Sequence, residues 1–171
     1  MKKKYDYVIG IDPDIEKCGV ATLTVEDGTV SLQSLSPQDT IFRVLDFAHD
    51  YMGYELAVVV ELDRKNLFNW HVNPNDTKGT AKRKGFDQGR CYQTAVMIAD
   101  IIKGCAINVV EKAPLIKMWS GPDRKITHDE VSRLRGLTIV SDRKTTNQEQ
   151  RDAILLALDV AEFPIILDRK K

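Results

Sequence analysis

The sequence predicts an α/β protein on a mixed sheet, an antiparallel hairpin meander continued by parallel strands and flanked by helices, from three observations. Val8-Ile9-Gly10-Ile11 is an apolar run that ends abruptly in Asp12. Val20–Val25 and Val30–Leu35 are β-rich segments separated by Glu26-Asp27-Gly28-Thr29, the composition of a tight hairpin turn. Leu56-Ala57-Val58-Val59-Val60 is apolar at every position, the pattern of a strand covered on both faces.

The first strand spans Tyr7 to Ile11, and the two segments after it complete the meander. Ser36 and Pro37 offer an N-cap and a first-turn proline for a helix through Tyr51, with Ile41, Val44, Leu45 and Ala48 at helical spacing. The strand Leu56 to Glu61 follows. A right-handed crossover sets it parallel to the first strand, so Asp12 and Glu61 emerge at the same end of the sheet. Arg64 to Gly85 lacks sustained periodicity and carries turn formers at Asn73-Pro74-Asn75-Asp76 and Gly79, which predicts a long loop, basic over about 64–86. A helix from Asp87 to about Lys103, a strand from Ala106 to Glu111 and a short helix from Pro114 come next. Thr127-His128-Asp129-Glu130 is a capping-box signature for a helix to about Leu134. The last helix is expected from about Asn147 to Phe163, stopped by Pro164. The reading places all of 1–171 in a single domain without internal repeats.

A chain of 171 residues with 43% hydrophobic content can bury a real core. Basic and acidic residues balance at 25 each, so any attraction to polyanions has to be local. Cys18, Cys91 and Cys105 show no CxxC spacing, which favours buried free thiols in a reducing compartment. No segment approaches ~20 uninterrupted apolar residues, and no signal-like apolar region follows Lys2-Lys3-Lys4. A soluble cytoplasmic protein is expected.

Three carboxylates sit at the edges of apolar elements: Asp12, Glu61, and Asp152 at the head of Ala153-Ile154-Leu155-Leu156-Ala157-Leu158. An ionised acid in such a place is costly unless paired or bound to a cation, and oxygen donors without a His or Cys cluster favour Mg2+ or Mn2+ over zinc. Each has a plainer reading. Asp12-Pro13-Asp14 can be a turn, and Glu61 can pair with Arg64 or Lys65 on the surface. Asp152 heads a helix apolar on nearly every side, which suits a solvated face less well.

In order along the chain, Ile9-Gly10-Ile11-Asp12-Pro13 with Gly19-Val20-Ala21, then Val58-Val59-Val60-Glu61, Gln88-Gly89-Arg90, Lys117 and Glu149-Gln150-Arg151-Asp152-Ala153 resemble the RNase H-like superfamily. The RuvC-like Holliday junction resolvases, phage-type members included, come nearest. The resemblance implies an RNase H-like fold and a metal-dependent endonuclease of the crossover junction type, acting in DNA recombination and repair. It maps four catalytic acids onto Asp12, Glu61, Glu149 and Asp152, holding two Mg2+ ions, with Mn2+ able to substitute. It also implies a Lys117 contact to the scissile phosphate, four-way junction DNA as partner, a homodimer and no membrane. Glu149 and Asp152 are three apart on one helix face, yet Thr146-Asn147-Gln148-Glu149 also reads as a capping box. Asp14 stands where these resolvases usually have Gly. The aromatic expected soon after Glu61 has no counterpart at that spacing; Phe68 and Trp70 come later, as candidates to stack on unpaired bases.

From Arg64 through Arg90 the cations Arg64, Lys65, Lys78, Lys82, Arg83, Lys84 and Arg90 outnumber Asp76 and Asp87, a phosphate-binding composition that a solvated loop can also show. Lys125 joins Lys117 beside the expected catalytic edge. His49, His71 and His128 read as surface or cap residues. The helix Cys91 to Ile102 carries Ala95, Val96, Ile98, Ala99, Ile101 and Ile102, a face that fits a two-fold contact or a buried core helix equally. Rival readings are an actin-like or sugar-kinase ATPase, a non-catalytic nucleic-acid-binding module, and an RNase H-like nuclease acting on Y-shaped or flap DNA, an RNA hybrid, or as the YqgF-like family does. The first needs a second lobe and a Gly-rich adenosine loop, for which there is no room.

Overall fold

The computed structural model describes residues 3–65, 73–141 and 143–168. Its strands are β1 (Tyr7–Asp12), β2 (Cys18–Thr24), β3 (Thr29–Leu35), β4 (Leu56–Glu61), β5 (Val109–Lys112) and β6 (Thr138–Val140), in the order β5-β4-β1-β2-β3-β6. β1, β2 and β3 form the antiparallel meander, while β4 runs parallel to β1 and β5 parallel to β4. This is the mixed sheet expected. The hairpin between β2 and β3 turns on Gly28 at φ +74, where a Cβ would lie 1.9 Å from the Gly136 carbonyl oxygen, so both conformation and space require glycine.

Helix α1 (Pro37–Asp50) begins as its cap residues dictate, with the Ser36 hydroxyl accepting the Asp39 amide at 3.1 Å. It packs with α2 (Lys78–Gly104) on one face of the sheet, where Ile9, Ile11, Val58 and Val60 meet Val44, Phe47, Ile98 and Ile102. Helix α4 (Gln148–Val160) covers the other face, where Val8, Ala21, Ala57 and Val59 meet Ala153, Ile154 and Ala157. Ala95, Ile98, Ala99 and Ile102 of α2 are therefore core residues, as the buried-helix reading has it, while Ile101 stays exposed.

The second half of the chain departs from expectation in several places. Helix α2 starts at Lys78, so residues 78–86 are helix where the sequence suggests loop. That stretch has only Ala81 and Phe86 as apolar side chains and gives no periodic signal. Its Lys, Arg and Ala content and the Thr77 hydroxyl, which accepts the Thr80 amide at 3.2 Å, are enough to carry the helix outward. β5 begins only at Val109, since Ala106 takes φ +60. No helix starts at Pro114; a 3-10 turn forms at Pro122–Arg124 instead. Helix α3 is a single turn, His128–Val131, with the expected Thr127–Glu130 capping box. The edge strand β6 is too short to register as a pattern. α4 ends before Pro164: Glu162 at φ +52 lets the Phe163 amide donate to the Leu158 carbonyl at 2.9 Å, a Schellman stop. Cys18 is buried, Cys91 partly so and Cys105 exposed; all are free. Among the described residues no helix is long and apolar enough to cross a membrane.

Candidate active-site cleft

Side chains alternate across a strand. On β1, Val8 faces α4 and Ile9 and Ile11 face away, so Gly10 and Asp12 turn toward α4. On β4, Ala57 and Val59 face α4, so Glu61 does too. Parallel pairing in register, with Ile11 opposite Val60, brings Asp12 and Glu61 out side by side. Helix α4 reaches them because Gly10 and Gly19 have no side chain. A Cβ at Gly10 would lie 2.0 Å from the Ala153 carbonyl oxygen, and one at Gly19 would lie 2.1 Å from that of Glu149. The helix backbone rests directly on the sheet, and Asp152 arrives beside the two strand-end acids.

Asp12, Glu61 and Asp152 line one cleft of about 750 Å³ with Asp63, Lys117, Lys125 and an apolar wall. All three of these acids are half-buried. Burial, then the neighbouring charges of Glu61, Asp152 and Glu149, holds the Asp12 carboxyl well above its ordinary range, against an opposing pull from Lys125. Burial and Asp152 raise Glu61, with Lys117 and Lys125 opposing. Burial raises Asp152, opposed by its hydrogen bond from Gln148 and by the two lysines. Concentrated, desolvated negative charge is what a hard cation neutralises. Among the described residues no three acid, His or Cys side chains stand as a ready-closed ligand set. The donors share a cleft and repel one another, and a divalent ion fits them by oxygen chemistry and by charge.

The cleft is braced from outside. Gln148 Nε2 donates to Asp152 Oδ1 at 2.8 Å, and its own Oε1 accepts from Arg151 Nη2 at 2.9 Å. Arg151 Nε donates to the Ile126 carbonyl at 2.8 Å, tying α4 to the segment that carries Lys125. Glu130 accepts the amides of Ser120 at 3.0 Å and Thr127 at 2.9 Å. Its burial would raise its pKa, but these amides and the Ser120 and Thr127 hydroxyls outweigh burial and hold it at about 2.

Glu149 lies outside the cleft lining, although its charge acts on Asp12. Its supposed capping role is corrected: the N-cap is Asn147, whose Oδ1 accepts the Gln150 amide at 2.8 Å while Gln150 Oε1 accepts the Asn147 amide at 3.1 Å. Glu149 is then free of cap duty. Glu61 has no pairing with Arg64, which instead holds Glu111 and Asp100. Asp14 is structural, its Oδ1 accepting the Glu16 and Lys17 amides at 2.8 and 3.1 Å. Sequence reasoning missed Asp63, Gln148 and Trp119. Two of these had signals: Asp63 follows Glu61 at strand spacing, and Gln148 precedes Asp152 by one helical turn.

Lys117 and Lys125 apart, the basic candidates stand away from the cleft lining. Lys78, Lys82, Arg83 and Arg90 project from the exposed first half of α2. Lys84 is tied to Asp76 at 2.7 Å, Arg83 lies 3.9 Å from Asp87, and Arg90 sits over the Phe86 ring. Phe68 and Trp70 lie outside the described residues.

A three-stranded antiparallel meander continued by parallel β4 and β5, with acids at the ends of β1 and β4, makes this an RNase H-like sheet. The chain is similar to Thermus thermophilus RuvC in complex with a Holliday junction substrate, at 14% identity over 89% of this chain and 90% of that chain, with a TM-score of 0.49. It is also similar to the large terminase nuclease of the thermophilic phage G20c with bound zinc, at 17% identity over 92% of this chain and 80% of that chain, with a TM-score of 0.44. No protein-family model and no curated protein sequence matches it. What the cleft can do is set by this protein's own side chains.

Proposed function

We propose that the protein is a metal-dependent endonuclease that cuts branched DNA, Holliday junctions foremost, by phosphodiester hydrolysis. The observation that carries this reading is the meeting of Asp12, Glu61 and Asp152, from three separate elements, in one desolvated cleft rimmed by Lys117 and Lys125. Structural acids are neutralised by protein partners; here Lys117 and Lys125 oppose burial and mutual repulsion without cancelling them, and all three carboxyls stay raised.

Asp12, Glu61 and Asp152 would hold Mg2+ or Mn2+, with Glu149 as the fourth ligand of a two-ion site. Such a pair supplies an activated water and stabilises the leaving 3′ oxygen. Lys117 and Lys125 draw the anionic backbone into the cleft and balance the acids before substrate arrives. Gln148 fixes Oδ1 of Asp152, a residue of the cleft lining. Lys78, Lys82, Arg83 and Arg90 on α2 hold flanking phosphates at a distance from the cut. A homodimer would present two clefts to the two symmetric strands of a four-way junction.

Labelled four-way, Y-shaped, flap, duplex and RNA–DNA hybrid substrates, incubated with the protein in Mg2+, Mn2+ or EDTA, test the reading. Cleavage of junctions ahead of duplex, dependent on metal and absent in Asp12→Asn, is expected. Preference for the hybrid would move the protein to the ribonuclease alternative, and binding without any cleavage would leave a nucleic-acid-binding module.

A further inference from the structure

The catalytic proposal uses one half of the cleft. The other half is a wall of Leu115, Ile116, Trp119, Ile126 and Leu155, and Ile116 on it is 86% exposed. Holding a cation or a phosphate needs no such surface. The wall is also held in shape: the Trp119 amide donates to the Arg124 carbonyl at 3.0 Å, the Gly121 amide to the Lys125 carbonyl at 3.0 Å, and Glu130 clamps both ends of the segment. A ligand that fills both halves must be anionic at one end, to meet Lys117 and Lys125, and flat and apolar at the other, to lie along Trp119. A single nucleotide has that form.

We infer that the Trp119 wall is a subsite for one unpaired nucleobase, that of the nucleotide adjoining the phosphate held at Asp12, Glu61 and Asp152. The inference rests on the nuclease reading and narrows its substrate. A base stacked within a duplex cannot turn into a cleft of about 750 Å³ without leaving its stack. The protein therefore requires a nucleotide already freed, at a branch point or in a single strand, and the indole face receives its base.

Two measurements decide it. Trp70 and Trp119 are the two tryptophans, so Trp70→Phe leaves Trp119 as the one indole to excite selectively. With Ca2+ replacing Mg2+, a single-stranded oligonucleotide should quench that emission, and an oligonucleotide abasic throughout should bind about tenfold more weakly. Equal binding without quenching overturns the subsite. On a branched substrate, removing only the base beside the cut should slow the wild type about tenfold and leave Trp119→Ala, already slowed, nearly unaffected, while Trp119→Phe behaves as wild type. If cleavage occurs and the base removal acts alike on wild type and Trp119→Ala, the subsite is wrong and the nuclease reading survives. If no substrate is cut, the nuclease reading fails and the quenching result alone decides the subsite.

Discussion

Glu61 and Glu111 end adjacent parallel strands one register step apart, with Val60 opposite Glu111 and Glu61 opposite Lys112, and they meet opposite fates. Glu111 turns to the α2 side, where Arg64 donates from Nε at 2.8 Å and Nη2 at 2.9 Å and Lys103 adds a third contact. The Arg64 hydrogen bonds, then Lys103, outweigh burial and hold its carboxyl at about 2. Glu61 turns to the α4 side, where burial and Asp152 raise its pKa. Same residue type, same sheet edge, opposite sign: Glu111 is paired directly and held low, whereas Glu61 has no such direct pair among the described residues and stays raised despite Lys117 and Lys125.

The largest expected effect is on chemistry. Asp12→Asn and Asp152→Asn should reduce cleavage below detection while a gel-shift assay still finds junction binding, since the phosphate contacts come from other residues. Neither variant should melt below wild type in EDTA, because each removes a repelled charge. Cleavage at the wild-type rate by either would break the contrast with Glu111.

Next in size is Gly10→Ala. Its new methyl would meet the Ala153 carbonyl oxygen at 2.0 Å, and a helix backbone has no rotamer with which to yield. The cost is on the order of 3 kcal/mol by denaturant unfolding, with α4 displaced and activity lost with it. Glu111→Gln should cost about 1 kcal/mol, reduced by its partial exposure, and leave cleavage intact. The two variants separate the face that carries the acids from the face that does not.

Much of this contrast could be read in advance. The apolar run Val8–Ile11 stopped by Asp12 and the uninterrupted Leu56–Val60 stopped by Glu61 mark two buried strands, and a right-handed crossover between them leaves little choice but a common edge for the two acids. The Ser36 and Thr127 caps were legible for the same local reason. What could not be read depends on non-local or weakly patterned features. Residues 78–86 carry too few apolar side chains for a period, so helix and loop look alike there. The end of α4 lies in backbone geometry at Glu162, ahead of the more visible Pro164. The cap at Asn147 sits one residue past the Thr146 that sequence suggested, and that single step releases Glu149. The Trp119 wall is assembled by a loop without periodicity.

Stability against pH follows with opposite signs. A carboxyl whose folded pKa is raised gives a contribution that is full at low pH and lost as pH rises through the folded value. One held at about 2 gives a contribution present above the ordinary carboxylate range and lost as pH falls toward 2. In EDTA, lowering the pH from 7 to about 5 should therefore raise the melting temperature, less so in Asp12→Asn. Adding Mg2+ at pH 7 should raise it as well. A wild-type melting curve indifferent to both would place the three acids in ordinary solvent.

The smallest effect concerns Gln148, which touches the chemistry only through Asp152. Its amide nitrogen occupies Oδ1 at 2.8 Å, and Arg151 at 2.9 Å on the other end stops the amide from flipping. Gln148→Ala removes no charge and, at the first position of α4, leaves the Asn147–Gln150 capping box in place, so unfolding should shift by no more than about 0.5 kcal/mol. Asp152 then swings freely, and a ligand that must be oriented each time binds its ion more weakly. The expected outcome is an apparent Mg2+ affinity about tenfold lower, with cleavage recovered at saturating Mg2+. Unchanged metal dependence would make the Gln148–Arg151 pair part of the helix start alone, and Asp152 would then owe its position to Gly10 and the backbone it admits.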